Sequence, residues 1–156
     1  MFKRHLKATV SALLLGLLAG SPPVATATHA VLSRETNGLI VYLGVVPAKR
    51  LNDHAELLPA GHAIRTGKDM YHIVVALFDK STGRRIDDAV VEATVAPFGL
   101  SGPTRIMYPT APAGMLNYCN WFRLSSGDIY VIHVTVRRPG IQTMRTAEFT
   151  LRRFSE

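Results

Sequence analysis

The sequence contains very little cysteine: Cys119 is the only one in 156 residues. A disulfide within the chain is therefore excluded, and the folded state has to be stable through packing alone. A lone thiol is buried, paired between two chains, or reactive, and burial is the ordinary case because free cysteine behaves as a small hydrophobe. We expect Cys119 to be buried, with pairing between two chains as an alternative.

Motifs of common catalytic sites are also absent. The sequence has neither a G-x-S-x-G elbow nor a glycine-rich phosphate loop, and Cys119 falls within an expected strand rather than beside a catalytic base. The formal net charge is +7, but the basic residues are scattered, whereas a nucleic-acid-binding protein concentrates them on one face. We expect neither an enzyme nor a nucleic-acid-binding protein.

Long apolar runs are missing from most of the chain, and the longest one lies near the N-terminus. Basic residues at positions 3, 4 and 7 precede an uncharged, leucine-rich run over 8–20, and prolines at 22 and 23 end it. Because a spanning helix needs about 20 apolar residues, this order favours a cleaved signal peptide over a membrane anchor. We predict a signal peptide over residues 1–30, cleaved after Ala27 or Ala30, so that the mature protein is exported and does not span a membrane.

Short runs of alternating or β-branched residues recur along residues 31–156, a length that suits one domain. Turn residues such as Pro47, Gly83 and Pro139 separate these runs, and no helical stripe follows residue 30. The predicted strands cover seven segments: 39–46, 70–79, 89–95, 105–108, 116–124, 129–137 and 143–154. Seven short strands with this spacing favour an all-β fold, an immunoglobulin-like antiparallel β-sandwich of about seven strands, with a small barrel as the alternative.

The stretch Gly127-Asp-Ile-Tyr130 opens the sixth predicted strand. A Gly-x-x-Tyr turn of this kind is typical of the tyrosine corner of Greek-key sandwiches, in which the phenol hydrogen-bonds to upstream backbone. A plain core tyrosine is an equally good alternative. The alternation that follows predicts that Tyr130, Ile132, Val134 and Val136 face inward.

Residues 48–69 differ from the rest of the chain because no strand pattern occurs there. The stretch includes Pro59, Gly61 and Gly67, which interrupt regular structure. A loop of this length is uncommon in a compact domain and is usually functional or disordered. We therefore predict a long loop over 48–69 within the single domain.

Three phrases of the sequence carry a family resemblance: VALFDKSTGRRIDDAVVEATV, NYCNWF and GDIYVIHVTVRRPG. Through them the span 71–140 resembles the YtkA/FixH-like group of exported β-sandwich domains, which looks similar in architecture to copper-resistance proteins. The resemblance implies a periplasmic domain associated with copper or with the assembly of respiratory metal centres. Members commonly carry Met- and His-rich segments after the second hairpin strand, where this sequence retains Met107 and Met115 without a neighbouring histidine.

Side chains that can bind copper occur in and beside the long loop. Copper in an oxidising compartment prefers thioether, thiolate and imidazole ligands. Met70 and His72 are two residues apart on a predicted strand, so they point to one face. The predicted metal site consists of His54, His62, Met70 and His72, with Met107 and Met115 as outside candidates. The alternative is that the loop histidines are solvated and the methionines fill gaps in the core.

Two other residues are expected to be structural. His133 shares a strand face with Thr135 and Arg137, which indicates exposure to solvent. Trp121, the only tryptophan, is most simply a core or sheet-packing residue on the same face as Cys119, since an exposed tryptophan would instead indicate a partner surface.

Two functions remain open from the sequence. The first is a periplasmic binding protein that handles copper or a similar soft metal ion. The second is an accessory domain without a metal, which docks another exported or membrane protein through a face or an edge of its sheet.

Overall fold

The structure is a computed structural model that describes residues 31–52 and 65–153. The predicted signal peptide and two of the predicted ligands, His54 and His62, lie outside the described residues. The described chain forms eight strands: β1 Val31–Thr36, β2 Leu39–Pro47, β3 Met70–Asp79, β4 Val90–Pro97, β5 Thr104–Thr110, β6 Asn117–Arg123, β7 Ile129–Arg138 and β8 Ile141–Arg152. One short helix, α1 Ala48–Asn52, follows β2.

All eight strands belong to one antiparallel sheet with the order β1-β2-β3-β6-β5-β4-β7-β8. Strand β5 joins the two halves of this sheet, because its first residues pair with β4 and its last three pair with β6. The two end strands, β1 and β8, lie against each other, so the sheet is nearly closed. The all-β prediction is confirmed, whereas seven strands and two separate sheets describe this architecture only approximately.

The strand missing from the sequence prediction is β1. Its residues are VLSRET, and four of the six are polar, so they give no alternating apolar signal. A tight turn at Asn37–Gly38 connects β1 to β2, and both residues have positive φ, +44° and +79°. Asn-Gly is a strong two-residue hairpin signal, and this dipeptide is the feature that identifies β1.

The core lies inside the curved sheet and follows the predicted alternation. Along β7, Tyr130, Ile132, Val134 and Val136 are all buried, as expected from their spacing. The largest fully buried side chains come from strands all around the sheet: Leu39, Leu43, Ile73, Leu77, Met107, Tyr118, Phe122, Ile132 and Phe149, with Leu124 just beyond β6. Burial of apolar area is the main favourable contribution to folding, so this interior fixes the register of every strand.

The helix α1 corrects the prediction that residues 48–69 are a loop throughout. Ala48 and Leu51 are buried and pack with Trp121 on the outer face of the sheet. A five-residue helix is too short to show an amphipathic stripe, and such helices depend on tertiary packing. No helix among the described residues has the length and apolar character needed to cross a membrane.

The turn between β6 and β7 has the hydrogen bond expected of a tyrosine corner. Tyr130 is 4% exposed, and its hydroxyl accepts a hydrogen bond of 2.7 Å from the backbone N–H of Ser125, five residues upstream. Gly127 in the same turn has φ +87°, a conformation that suits glycine. The phenol therefore holds the entry into β7 as well as filling the core.

Replacement of Tyr130 by phenylalanine tests this corner. We expect Tyr130→Phe to lower the free energy of unfolding by about 1 kcal/mol, because one hydrogen bond is lost while the ring still fills the core. Urea unfolding followed by circular dichroism measures the change. Tyr42→Phe, at a partly exposed tyrosine, is the control, and equal stability of the two variants would contradict the role of the hydroxyl.

Asp79, the last residue of β3, organises the turn that follows. Its Oδ1 accepts hydrogen bonds from Ser81 N and Oγ and from Thr82 N and Oγ1, at 2.6 to 3.0 Å. The hydroxyl of Ser81, followed by the backbone and hydroxyl of Thr82, lowers the pKa of this carboxyl to about 2 from its ordinary 3.8. The folded state therefore releases this proton more readily than the unfolded chain does.

This lowered pKa predicts a specific loss of stability in acid. The contribution of Asp79 is complete above the unfolded pKa of 3.8 and is lost as the pH falls towards about 2. We expect Asp79→Asn to be less stable than the parent protein at neutral pH and to lose less stability on acidification. Urea unfolding at a series of pH values measures both effects. Asp87→Asn, at an exposed carboxylate of the same β3–β4 connection, should keep the steeper acid dependence of the parent.

Candidate functional site

The outer face of β2, β3 and β6 carries a second, smaller apolar cluster. The strand registers place Val46 opposite His72, and His72 opposite Trp121, so the three side chains form one row across the sheet. They point away from the main core and towards α1. Because α1 lies over this row, the outer face of the sheet is shielded here from solvent, to which it would be exposed without the helix.

His72 and Trp121 are in direct ring contact within this row. Their ring centroids are 4.7 Å apart and their planes are tilted by 47°. The two residues are 5% and 4% exposed, and both His72 Nε2 and Trp121 Nε1 are buried atoms. A polar histidine thus lies in an apolar environment on the sheet surface rather than in solvent.

Met70 lies on the same face as His72, two residues earlier on β3. It is partly buried and packs against the cluster of Ala48, Leu51 and Trp121. Its side chain also lies close to Gly67, where an added Cβ would be 3.2 Å from Met70 Cγ. The structure therefore brings Met70 and His72 together around Trp121, and the end of the β2–β3 connection contacts this group.

The other candidates for a metal site do not join this group. Met107 is 2% exposed and belongs to the main core, on the opposite face of the sheet. Met115 is 55% exposed and lies between β5 and β6. His133 faces solvent, as expected, and lies 3.0 Å from Glu148. Within residues 31–52 and 65–153, no three His, Cys, Asp or Glu side chains cluster in a way that could hold a metal.

Cys119 lies beside the cluster, in the next row of the outer face. It is opposite Val74 on β3 and Tyr108 on β5, and its side chain is fully buried, as expected for a lone thiol. Burial raises the pKa of the Cys119 thiol, and a hydrogen bond with the Thr110 side chain opposes this rise only in part. The thiolate form, which is the metal ligand and the nucleophile, is therefore disfavoured.

Slow chemical modification of Cys119 is the expected consequence. We predict that a thiol reagent labels the native protein at least about a hundredfold more slowly than the unfolded protein, because labelling requires local opening of the sheet. Mass spectrometry over time measures the rate. Ser81→Cys combined with Cys119→Ser places a thiol on an exposed turn and is the control. Equally rapid labelling of Cys119 and of that control would contradict its burial.

Sequence reasoning missed the part played by Trp121 at this site. It correctly placed Trp121 on one face with Cys119, and Met70 on one face with His72. The pairing of β3 with β6, which joins the two pairs, depends on a crossover past β4 and β5. No local pattern in the sequence reports that crossover, and α1, which covers the site, carries no helical signal of its own.

Comparison with solved structures finds similar folds at low sequence identity. A protein of the DUF4426 family from Pseudomonas aeruginosa is 17% identical, with a TM-score of 0.60 over 81% of this chain and 96% of that one. A copper-bound variant of FetP from uropathogenic Escherichia coli is 10% identical, with a TM-score of 0.55 over 78% and 94%. FetP in its as-isolated form, expressed in the periplasm of Escherichia coli, is 12% identical, with a TM-score of 0.52 over 79% and 94%.

At these identities the likeness shows a shared fold. No protein-family model matches the chain, and no curated protein matches its sequence. The resemblance to the YtkA/FixH-like group therefore stays a prediction. The chain has the all-β architecture of FetP and of the DUF4426 protein, and it spans nearly the whole length of each.

Proposed function

We propose that this chain is an exported periplasmic protein that binds copper or a similar soft metal ion at the outer face of β3. The observation that carries the proposal is the grouping of Met70 and His72 around Trp121 beneath α1. The fold shared with copper-bound FetP supports a metal-related role, and the signal peptide predicted from residues 1–30 supports export.

The chemistry of the grouped side chains suits a soft cation. Met70 offers a thioether and His72 an imidazole, two of the ligand types that copper prefers. The π face of the Trp121 indole attracts a nearby cation, and such an interaction is stronger where water is excluded. Of the described residues, these three therefore supply donors and a cation-stabilising ring at one location.

The described residues fit a copper ion only in part, because Met70 and His72 are two donors and soft-metal sites usually have more. His54 and His62 remain the predicted additional ligands, and they lie outside the described residues. With copper bound, the site would store or transfer the ion. The role of the folded chain would be to hold His72 and Met70 in fixed positions on a rigid strand.

Titration with copper tests the proposed function. We expect the protein, purified as the cell produces it, to bind Cu(I) or Cu(II) more tightly than about micromolar, a binding free energy beyond about −8 kcal/mol. Competition with a chromogenic chelator measures the affinity. Copper should also quench the tryptophan fluorescence, because Trp121 is the only tryptophan in the chain and its ring contacts that of His72.

Matched variants separate this site from incidental binding by surface histidines. His72→Ala and Met70→Leu should each weaken copper binding at least tenfold and reduce the quenching of Trp121. His133→Ala, at an exposed histidine paired with Glu148, should leave both unchanged. His54→Ala with His62→Ala tests the two predicted loop ligands in the same assay. Binding weaker than micromolar in the parent protein would reject the metal function and favour a metal-free accessory domain.

A further inference from the structure

A second surface, at the β4–β5 hairpin, carries a different kind of signal. Phe98 and Leu100 are 73% and 69% exposed, more than the other large apolar side chains that the structure describes as exposed. Residues 93–104 around them carry no charge. Two large, strongly exposed apolar side chains two residues apart on an uncharged turn differ from scattered surface hydrophobics, which are normal and need no explanation.

The hairpin holds these two side chains in a fixed position. Leu100 N–H donates to Pro97 O at 2.9 Å, and Phe98 N–H donates to Ile129 O on β7 at 2.7 Å. Gly99, between them, has φ +78°, which suits glycine. The turn therefore closes on itself, and its apolar side chains project outwards instead of folding back onto the sheet.

Gly102 fixes the return of the hairpin towards β5. A Cβ at this position would lie 1.9 Å from the carbonyl oxygen of Val95 and 2.7 Å from the Cα of Ala96. The backbone after Leu100 thus packs directly on β4 in a way that only glycine permits. This close approach fixes the backbone path by which the turn that carries Phe98 and Leu100 returns to β5.

Basic residues lie at the same end of the sheet as the hairpin. The backbone of Phe98 bonds to Ile129, and Ile129 is opposite Arg152 on β8. Arg123 ends β6 opposite Met70, where the β2–β3 connection returns. Among the described residues of these strand ends and turns, the exposed cations include Arg65, Lys68, Arg105, Arg123 and Arg152, and Asp128 is an exposed carboxylate. Arg153 is largely buried and forms an ion pair with Asp69. Among the described residues, exposed cations therefore outnumber exposed carboxylates at the end of the sheet that carries the uncharged turn.

We propose that this end of the molecule docks on the surface of an anionic lipid bilayer, with Phe98 and Leu100 inserted among the headgroups and the exposed cations of the same end facing lipid phosphates. An exposed apolar segment flanked by cations is the pattern of peripheral membrane binding, in which apolar insertion and attraction to anionic lipid add together. The backbone N–H groups of Phe98 and Leu100 are both already hydrogen-bonded, which disfavours docking of a partner protein by strand addition at this turn.

Vesicle binding tests the proposal. The parent protein and every variant are used in the form that the cell produces, so that all of them have the same N-terminal segment. We expect the parent protein to sediment with vesicles of phosphatidylcholine and phosphatidylglycerol, and less with phosphatidylcholine alone. Phe98→Ser with Leu100→Ser should weaken binding to the anionic vesicles at least tenfold. Val90→Ser with Met144→Ser, at exposed apolar residues of the opposite end, should bind as the parent does.

The charge contribution has its own pair of variants. Lys68→Gln with Arg123→Gln removes two exposed cations at the same end of the sheet as the hairpin and should weaken vesicle binding. Added salt should have a smaller effect on this variant than on the parent. Arg84→Gln, at the other end of the molecule, is the control. Thermal unfolding of each variant establishes that the fold is retained.

Insertion of the turn itself has a direct readout. In a Phe98→Trp variant, the new indole is exposed, whereas Trp121 is buried. We expect its emission to shift to shorter wavelength on addition of anionic vesicles and to be quenched by lipids brominated in the acyl chain. Unchanged emission, or vesicle binding that the serine substitutions leave intact, would overturn the proposal. If the turn instead docks into a partner protein, the parent will not bind vesicles, and this result also overturns the proposal.

Discussion

The structure depends on one constraint: apolar side chains from every strand face a common interior inside a single antiparallel sheet. Strand β5 makes this possible, because it pairs with β4 through its first half and with β6 through its last three residues. Without a disulfide, burial of residues such as Phe122, Phe149 and Tyr118 has to supply the stability. The inward alternation then leaves the opposite side of each strand for other purposes, and both proposed functional surfaces lie outside the main core.

On the outer side of β3, a few residues form a second layer over the sheet. Helix α1 contributes Ala48 and Leu51, and these cover Trp121 and the row that contains His72. The ring of His72 packs on that of Trp121, so the same short helix also shields this imidazole from solvent.

Much of the fold could be predicted from local patterns, whereas only the pairs of residues on one strand, such as Met70 with His72, could be predicted at the site. A run that is apolar on both faces predicted the bounds of β3, and period-two alternation predicted the inward face of β7, because each pattern depends on neighbouring residues. Strand β1 was not predicted, because its polar sequence contains no such apolar run, although Asn37–Gly38 is typical of a hairpin turn. The contact between His72 and Trp121 depends on the pairing of β3 with β6. These two residues are 49 positions apart in the sequence, and no local sequence pattern predicts a contact over that separation.

The seam between β1 and β8 has a mechanical consequence. Backbone ladders join all the other neighbours in the described sheet, while these two end strands meet without one. The guanidinium of Arg34 on β1, 5.8 Å from the ring centroid of Phe149 on β8, is one of the contacts across the seam. Because no backbone ladder joins β1 to β8, local opening of the domain should begin between these two strands. The half of the sheet that contains β3 and β6 should stay intact during such an opening.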